Sequence, residues 1–236
     1  DVSHIMLDVI LSLMPAVVYA AFYFGPHILI TIAVSVCSAV FFEWGYRKLL
    51  KKSSSIWDLS AVVTGLMFAM TCPPSMPYWM PVIGTFFGIV VVKQLYGGIG
   101  KNILNPALAG RAFMVASYTG IMGTVVIDGV TQATPLTTMY AGERVTQTIG
   151  EMFIGLRPGA IGEVSAILLL AGGIYLIFRG VITWHVPVSF VGTVAVISLV
   201  GGHAGYNNFE WMMYNILSGG VILNAFFMAT DYCTTP

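Results

Sequence analysis

Eight apolar stretches occupy most of the chain, at about 5–24, 28–44, 58–72, 79–96, 104–119, 161–178, 184–201 and 211–229. A segment of roughly 20 apolar residues crosses the roughly 30 Å of hydrocarbon in a bilayer. No water reaches the backbone inside that layer, so a spanning segment of this kind satisfies its own N–H and C=O groups as a helix. The expectation is a polytopic, all-α integral membrane bundle. Composition agrees: 57% of residues are hydrophobic and 8% charged, where ordinary globular domains carry about 25% charged residues. Ten acids balance ten bases, so no bulk charge draws the chain to nucleic acid; membrane lipid is its first partner. The opening run carries Asp8 and lacks a basic leader, and so reads as a span and not as a cleavable signal.

The charges set the orientation. Arg47-Lys48-Leu49-Leu50-Lys51-Lys52 puts four cations between the second and third runs, and such clusters stay on the cytoplasmic side. Counting from there places Pro73 to Tyr78, 120 to 159 and 202 to 210 outside, and Lys93, Lys101 and Arg179 at or near the inner face. Glu43 and Asp58 flank the basic turn and are expected to pair with it; Asp8 is expected at the interface. The first three runs, displaced by 159 residues, land on the last three, with Phe68 over Phe227 and Thr71 over Thr230. Five spans separate equivalent positions, so the copies run in opposite directions, an inverted-topology repeat. The chain then divides into a first membrane repeat, 1–119, an extracytoplasmic loop, 120–159, and a second repeat, 160–236, which holds three runs against the first copy's five. Spacing predicts ten spans in the full protein, with about eight here.

The loop holds the most distinctive local pattern, Asp128-Gly129-Val130-Thr131-Gln132-Ala133-Thr134-Pro135-Leu136. Asp-x-x-Ser/Thr-x-Ala-Thr recurs by chance at roughly 1 in 10⁵ positions. A hydroxyl on a water-facing loop becomes a phosphoester anchor when a separate enzyme recognises the peptide and transfers a nucleotide phosphate to it. Ala133 leaves room for that enzyme to close over Thr134, and Pro135 holds the backbone before it extended. Without that chemistry the same letters make a polar turn.

Farther back, Gly97-Gly98-Ile99-Gly100 and Asn105-Pro106 put a break ahead of a helix whose first turn carries Pro106. A broken segment is tolerated in a membrane where it lines a cavity or another protein surface. Arg111 then falls inside the membrane, where an ionisable side chain marks a functional site, and its planar donors suit phosphate oxygens. The plainer alternative is an arginine that snorkels or caps a neighbouring helix. Thr71-Cys72-Pro73-Pro74 and Thr230-Asp231-Tyr232-Cys233 close the third and eighth runs at equivalent positions. Their polar ends either face each other across the central axis or simply terminate helices. Cys37 reads as a buried filler. Cys37, Cys72 and Cys233 form no cluster, and His4, His27, His185 and His203 share no ligand spacing, so no metal site is expected.

The Asp128 to Leu136 motif, the stretch Gly100-Lys101-Asn102-Ile103-Leu104-Asn105-Pro106-Ala107-Leu108-Ala109-Gly110-Arg111-Ala112-Phe113 and the ending Phe227-Met228-Ala229-Thr230-Asp231 carry a family resemblance. The chain resembles the RnfD/NqrB family of ion-translocating oxidoreductase membrane subunits along its whole length. The resemblance implies FMN held covalently on Thr134 through its phosphate and installed by a flavin transferase, with Asp128, Thr131 and Ala133 as recognition positions. Gln132 stands where the family's motif usually has glycine. Arg111 and Asn105 join the implied cofactor-binding set, and a second ligand between the repeats, a non-covalent riboflavin or a quinone-like molecule, is left open. The implied fold is urea-transporter-like. The implied role is electron transfer within an ion-translocating ferredoxin:NAD⁺ oxidoreductase (Rnf) complex, driving sodium or protons, in the inner (cytoplasmic) membrane of a prokaryotic cell, with the flavin loop outside. Partners would be the other Rnf subunits: the membrane proteins RnfA and RnfE, the flavoprotein RnfG and the iron–sulfur proteins RnfB and RnfC. The chain itself has no four-cysteine set and no GxGxxG unit, so ferredoxin and nucleotide sites would belong to those partners. A solute channel or carrier of the same fold is the competing class; the loop motif separates the two.

Overall fold

The computed structural model describes residues 2–52, 56–127, 130–202 and 205–231. Each apolar stretch contains helix. Two helices of 23 residues each, α1 (Val2–Phe24) and α2 (His27–Leu49), are long and apolar enough to cross a bilayer alone. Shorter helices follow: the apolar α3 (Ser60–Met70) and α4 (Met80–Gln94), then α5 (Pro106–Ser117) and, beyond the loop, the apolar α9 (Ala166–Phe178) and α10 (His185–Gly201). A last pair, α11 (Asn208–Leu217) and α12 (Val221–Met228), is bent by 61° and counts as a third span if taken together. The chain is a helical membrane protein, but its eight apolar runs are not eight long helices. At about 1.5 Å per residue, the 11 residues of α3 and the 13 of α9 fall short of the bilayer, and glycine or proline breaks end several of the others.

The loop between α5 and α9 is not purely helical, which corrects the all-α expectation. It contains α6 (Thr119–Met122), an antiparallel hairpin of β1 (Val125–Ile127) and β2 (Val130–Gln132), then α7 (Pro135–Tyr140) and α8 (Ile149–Ile154). The register pairs Val125 with Gln132, Val126 with Thr131 and Ile127 with Val130. β-branched residues on both arms favour this pairing. Asp128 and Gly129, which join the arms, lie outside the described residues, as do His203, Tyr232 and Cys233.

Helix α3 is the centre of the packing. Every residue of it except Val62 is buried, against α1, α2, α4 and α5. Leu13 and Val17 of α1, Met67 and Phe68 of α3, Leu169 and Leu176 of α9 and Phe227 of α12 share one core. Helix α1 also packs on α9, and α10 packs on α11 and α12. Close backbone approach depends on small residues, as is usual where lipid supplies no hydrophobic drive between helices. A Cβ added at Gly65 would lie 2.8 Å from the carbonyl oxygen of Ser35, whose hydroxyl donates to the Gly65 carbonyl at 2.6 Å. A Cβ at Gly172 would lie 2.4 Å from the Ser12 carbonyl. Both α4 and α12 contain a π-helical stretch, Phe87–Gln94 and Asn224–Met228.

The packing gives the expected polar residues specific partners. Lys93 of α4 is buried and donates to the Glu43 carboxylate and to the Ser60 hydroxyl, each at 2.6 Å. Asp58 caps α3, accepting from the Ser60 amide at 2.9 Å and the Ser60 hydroxyl at 2.7 Å. Asp8 is buried in the protein: it accepts from the Tyr175 hydroxyl at 3.0 Å and from Arg179 at 3.2 Å, tying α1 to the end of α9. Sequence spacing does not reveal the partners of Glu43 and Asp8 because they lie 50 and 171 residues along the chain. Cys37, expected inside, is exposed on α2, an ordinary place for an apolar side chain when the solvent is lipid.

Glu43→Gln leaves Lys93 buried without its counter-charge and is expected to cost about 3–5 kcal/mol. Melting of the detergent-solubilised protein checks this. Replacing the pair together, Glu43→Leu with Lys93→Met, is expected to recover most of the loss.

Candidate functional site

Two cavities lie at opposite ends of α3. One, of about 180 Å³, is lined by Ser60 at the start of α3, Asn105 and Ala107 at the start of α5, Leu176 near the end of α9, and Thr230 and Asp231 just past α12. The other, of about 230 Å³, is lined by Thr71 at the end of α3, Arg111 in α5, Thr134 at the start of α7, and Gly219 ahead of α12. Thr71 and Thr230 therefore do not face each other across an axis. Each donates back into its own helix, to the carbonyls of Phe68 and Phe226, both at 2.7 Å, and each borders a different cavity.

Of the residues singled out in the sequence, Arg111 and Thr134 come together on the second cavity. Thr134 is half-buried at the N-cap of α7, with Pro135 at the first helical position, the place where its missing amide is not needed. The Thr134 hydroxyl accepts from the Thr137 amide at 3.3 Å and lies 3.1 Å from the Thr137 hydroxyl. Thr131, Gln132 and Ala133 precede it as an exposed strand end, open to another macromolecule. Arg111 is half-buried and, among the described residues, has no hydrogen bond or ion pair. Asn105 is elsewhere: its side-chain oxygen caps α5, accepting from Ala107 N at 3.0 Å and Leu108 N at 3.3 Å, beside the first cavity. Asp128 lies outside the described residues.

The second cavity contains three polar residues that were not singled out. Arg157, Glu163 and Ser218 line it and are all buried. Arg157 donates to the Glu163 carbonyl at 2.5 Å. Burial pulls its guanidinium below the ordinary value while the Glu163 carboxylate pulls it back up; arginine remains a cation through such shifts. Arg157 Nε and Ser218 Oγ have no hydrogen-bond partner among the described residues. Ser218-Gly219-Gly220 was the available signal, since a double glycine inside an apolar run marks a break. Gly219 and Gly220 both take positive φ, 65° and 71°. Arg157 carried no signal beyond being a loop cation.

The wall that holds Arg157 depends on one close approach. Gly155 ends α8 with φ 112°, and a Cβ there would lie 1.9 Å from the Val164 carbonyl. The Ile161 amide donates to the Cys72 carbonyl at 3.0 Å, which fixes the turn to the end of α3. The assembled site thus offers one accessible hydroxyl, two guanidinium groups and two buried polar atoms without partners. Together with the Glu163 carboxylate on the same wall, this set suits an anionic ligand with hydrogen-bonding edges.

Known proteins share this chain along its length. The model of the NQR2, RnfD, RnfE family matches residues 1–236. The D subunit of the Na(+)-translocating ferredoxin:NAD(+) oxidoreductase complex of Acetobacterium woodii is 43% identical over 242 residues, covering 99% of this chain and 74% of that protein. The D subunit of the proton-translocating ferredoxin:NAD(+) oxidoreductase complex of Clostridium ljungdahlii is 39% identical over 252 residues, covering 100% of this chain and 76% of that one. The D subunit of an ion-translocating oxidoreductase complex of Escherichia coli O1:K1 is 32% identical over 275 residues, at 98% and 78% coverage.

Gly155→Ala is expected to force the 155–165 turn off the end of α3. Amide exchange in that segment should rise at least tenfold, while α2 and α3 keep their protection. Unchanged exchange would show that the turn has another support.

Proposed function

The chain belongs to the NQR2, RnfD, RnfE family, and on that premise we propose that it is the membrane electron-transfer subunit of an ion-translocating ferredoxin:NAD⁺ oxidoreductase, carrying FMN as a phosphoester on Thr134. The names of the three relatives support the complex. The observation that carries the flavin is the pairing of Thr134 with two arginines on one cavity. A bound flavin supplies one- and two-electron chemistry; the protein supplies position and electrostatics.

The residues suit that role. Thr134 caps α7 through the lone pairs of its hydroxyl oxygen, accepting from the Thr137 amide. An ester oxygen keeps lone pairs, so attachment of a phosphate removes a hydrogen from Thr134 without removing the cap. The exposed Thr131-Gln132-Ala133 strand gives a flavin transferase an edge to read. Arg111, half-buried and without a protein partner among the described residues, lines the cavity where the phosphate would lie. The first cavity, beside Asn105, is where a non-covalent riboflavin would go.

In this reading the protein is a multi-pass protein of a prokaryotic inner membrane, with the 120–159 loop on the extracytoplasmic side, as the Arg47 to Lys52 cluster supports. Residues 1–119 and 160–236 are two inverted repeats of a urea-transporter-like bundle with ten spans in the full protein. The membrane proteins RnfA and RnfE, the flavoprotein RnfG and the iron–sulfur proteins RnfB and RnfC are its partners. It is part of the enzyme and performs no complete reaction alone.

The test is an intact mass of the protein from its own host, with peptide mapping across 120–159. An FMN increment on Thr134 is expected, lost in Thr134→Ala and kept in Thr134→Ser. An unmodified loop in cells with an active flavin transferase would favour a solute channel or carrier, and an increment on Thr137 would move the anchor.

A further inference from the structure

The charge of Arg157 is not answered by any carboxylate of the described residues within ion-pair distance. Its side chain is 4% exposed, one guanidinium nitrogen donates to the Glu163 carbonyl, and Nε has no partner. Ser218, 1% exposed, likewise leaves its hydroxyl unpartnered on the same cavity. The Glu163 carboxylate, on the same cavity, acts on this charge from beyond ion-pair distance. What stays open is hydrogen bonding: Arg157 Nε and Ser218 Oγ are buried without partners among the described residues, which is costly, and their partners have to come from what occupies the cavity.

We propose that Arg157 and Ser218 hold the planar ring of the cofactor on Thr134, and that Arg157 supplies the positive charge which offsets the electron the ring receives. This rests on the reading of Thr134 as a flavin anchor. Exposure sorts the two ends of the ligand. Thr134 and Arg111 are half-buried and take the phosphate, which stays charged and prefers contact with water. Arg157 and Ser218 are buried and meet the hydrogen-bonding edge of the ring. A ring that gained an electron there from the redox groups of the complex would have the fixed cation of Arg157 beside it, which would offset the added charge without uptake of a proton and against the opposing Glu163 carboxylate. In low dielectric such a charge acts strongly on its neighbour.

The experiment is a redox titration of the purified complex, with the spectrum of the Thr134→Ala complex subtracted to isolate this one flavin. Intact mass is measured first on every sample. With FMN present on Thr134, Arg157→Met is expected to weaken the reduced state about tenfold, a fall of about 59 mV for a one-electron couple. Arg157→Lys should keep most of the potential, and Ser218→Ala should lower it by less. FMN on Thr134 with an unmoved potential in Arg157→Met overturns the proposal. Should that variant fail to assemble, a potential unmoved by Ser218→Ala does the same. No FMN on the wild-type protein would instead overturn the flavin reading itself, and the proposal with it.

Discussion

A helix too short to cross the membrane, and buried along almost its whole length, governs the arrangement of everything else. With 11 residues, α3 rises about 16 Å, roughly half the hydrocarbon thickness. Its first residue lines one cavity and its C-cap, Thr71, lines the other. The two cavities are therefore separated by one short rigid element and approach each other far more closely than the two faces of a bilayer. Such a helix survives in a dry interior because its ends are satisfied: Asp58 takes the first amide, Thr71 donates to a terminal carbonyl, and the Ile161 amide reaches the Cys72 carbonyl. The last of these contacts also joins the end of the helix to the 155–165 turn.

With so few charges in the chain, each buried one has a specific circumstance. Glu43 and Lys93 neutralise each other across α2 and α4, with Ser60 completing the lysine's shell. Asp8 and Arg179 tie α1 to the end of α9, and there the arginine stays largely in solvent. A hydrogen-bonded carboxylate beside it raises the Arg179 guanidinium above its ordinary value, the sign of an interaction that favours its charged form. Arg157 is the contrast: burial moves it the other way, and its hydrogen bond goes to a neutral carbonyl. The first two pairs belong to the architecture. The third leaves Arg157 Nε without a hydrogen-bond partner among the described residues, while the Glu163 carboxylate acts on its charge.

Within the loop, one hydroxyl caps a helix in a way that leaves it free for the ester proposed above. Helix capping uses the acceptor capacity of Thr134, whereas ester formation would use its hydrogen. The neighbouring α8 shows the ordinary form of the device: Thr148 and Glu151 exchange hydrogen bonds in a capping box, and the Thr148 amide and hydroxyl hold the Glu151 carboxyl below the usual carboxylate range.

The apolar runs determined by themselves that the chain is a membrane protein built of helices, because the cost of bare backbone in hydrocarbon leaves little else. The motif ending in Thr134, and the Asn-Pro break ahead of Arg111, were likewise legible, since both depend on local chemistry of consecutive residues. Helix length was not: an apolar run states what a segment can be buried in, and lipid and protein interior look alike to it. Hence α3 and α9 read as spans, and Cys37 read as core. The partners of Glu43 and Asp8 were also invisible, being 50 and 171 residues away along the chain. The site was decided by the tertiary structure in the same way. Arg157, Glu163 and Ser218 belong to three separate segments, a loop, a turn and a helix break, and only the close approach of Gly155 to Val164 and the docking of that turn on α3 bring them to the wall facing Thr134.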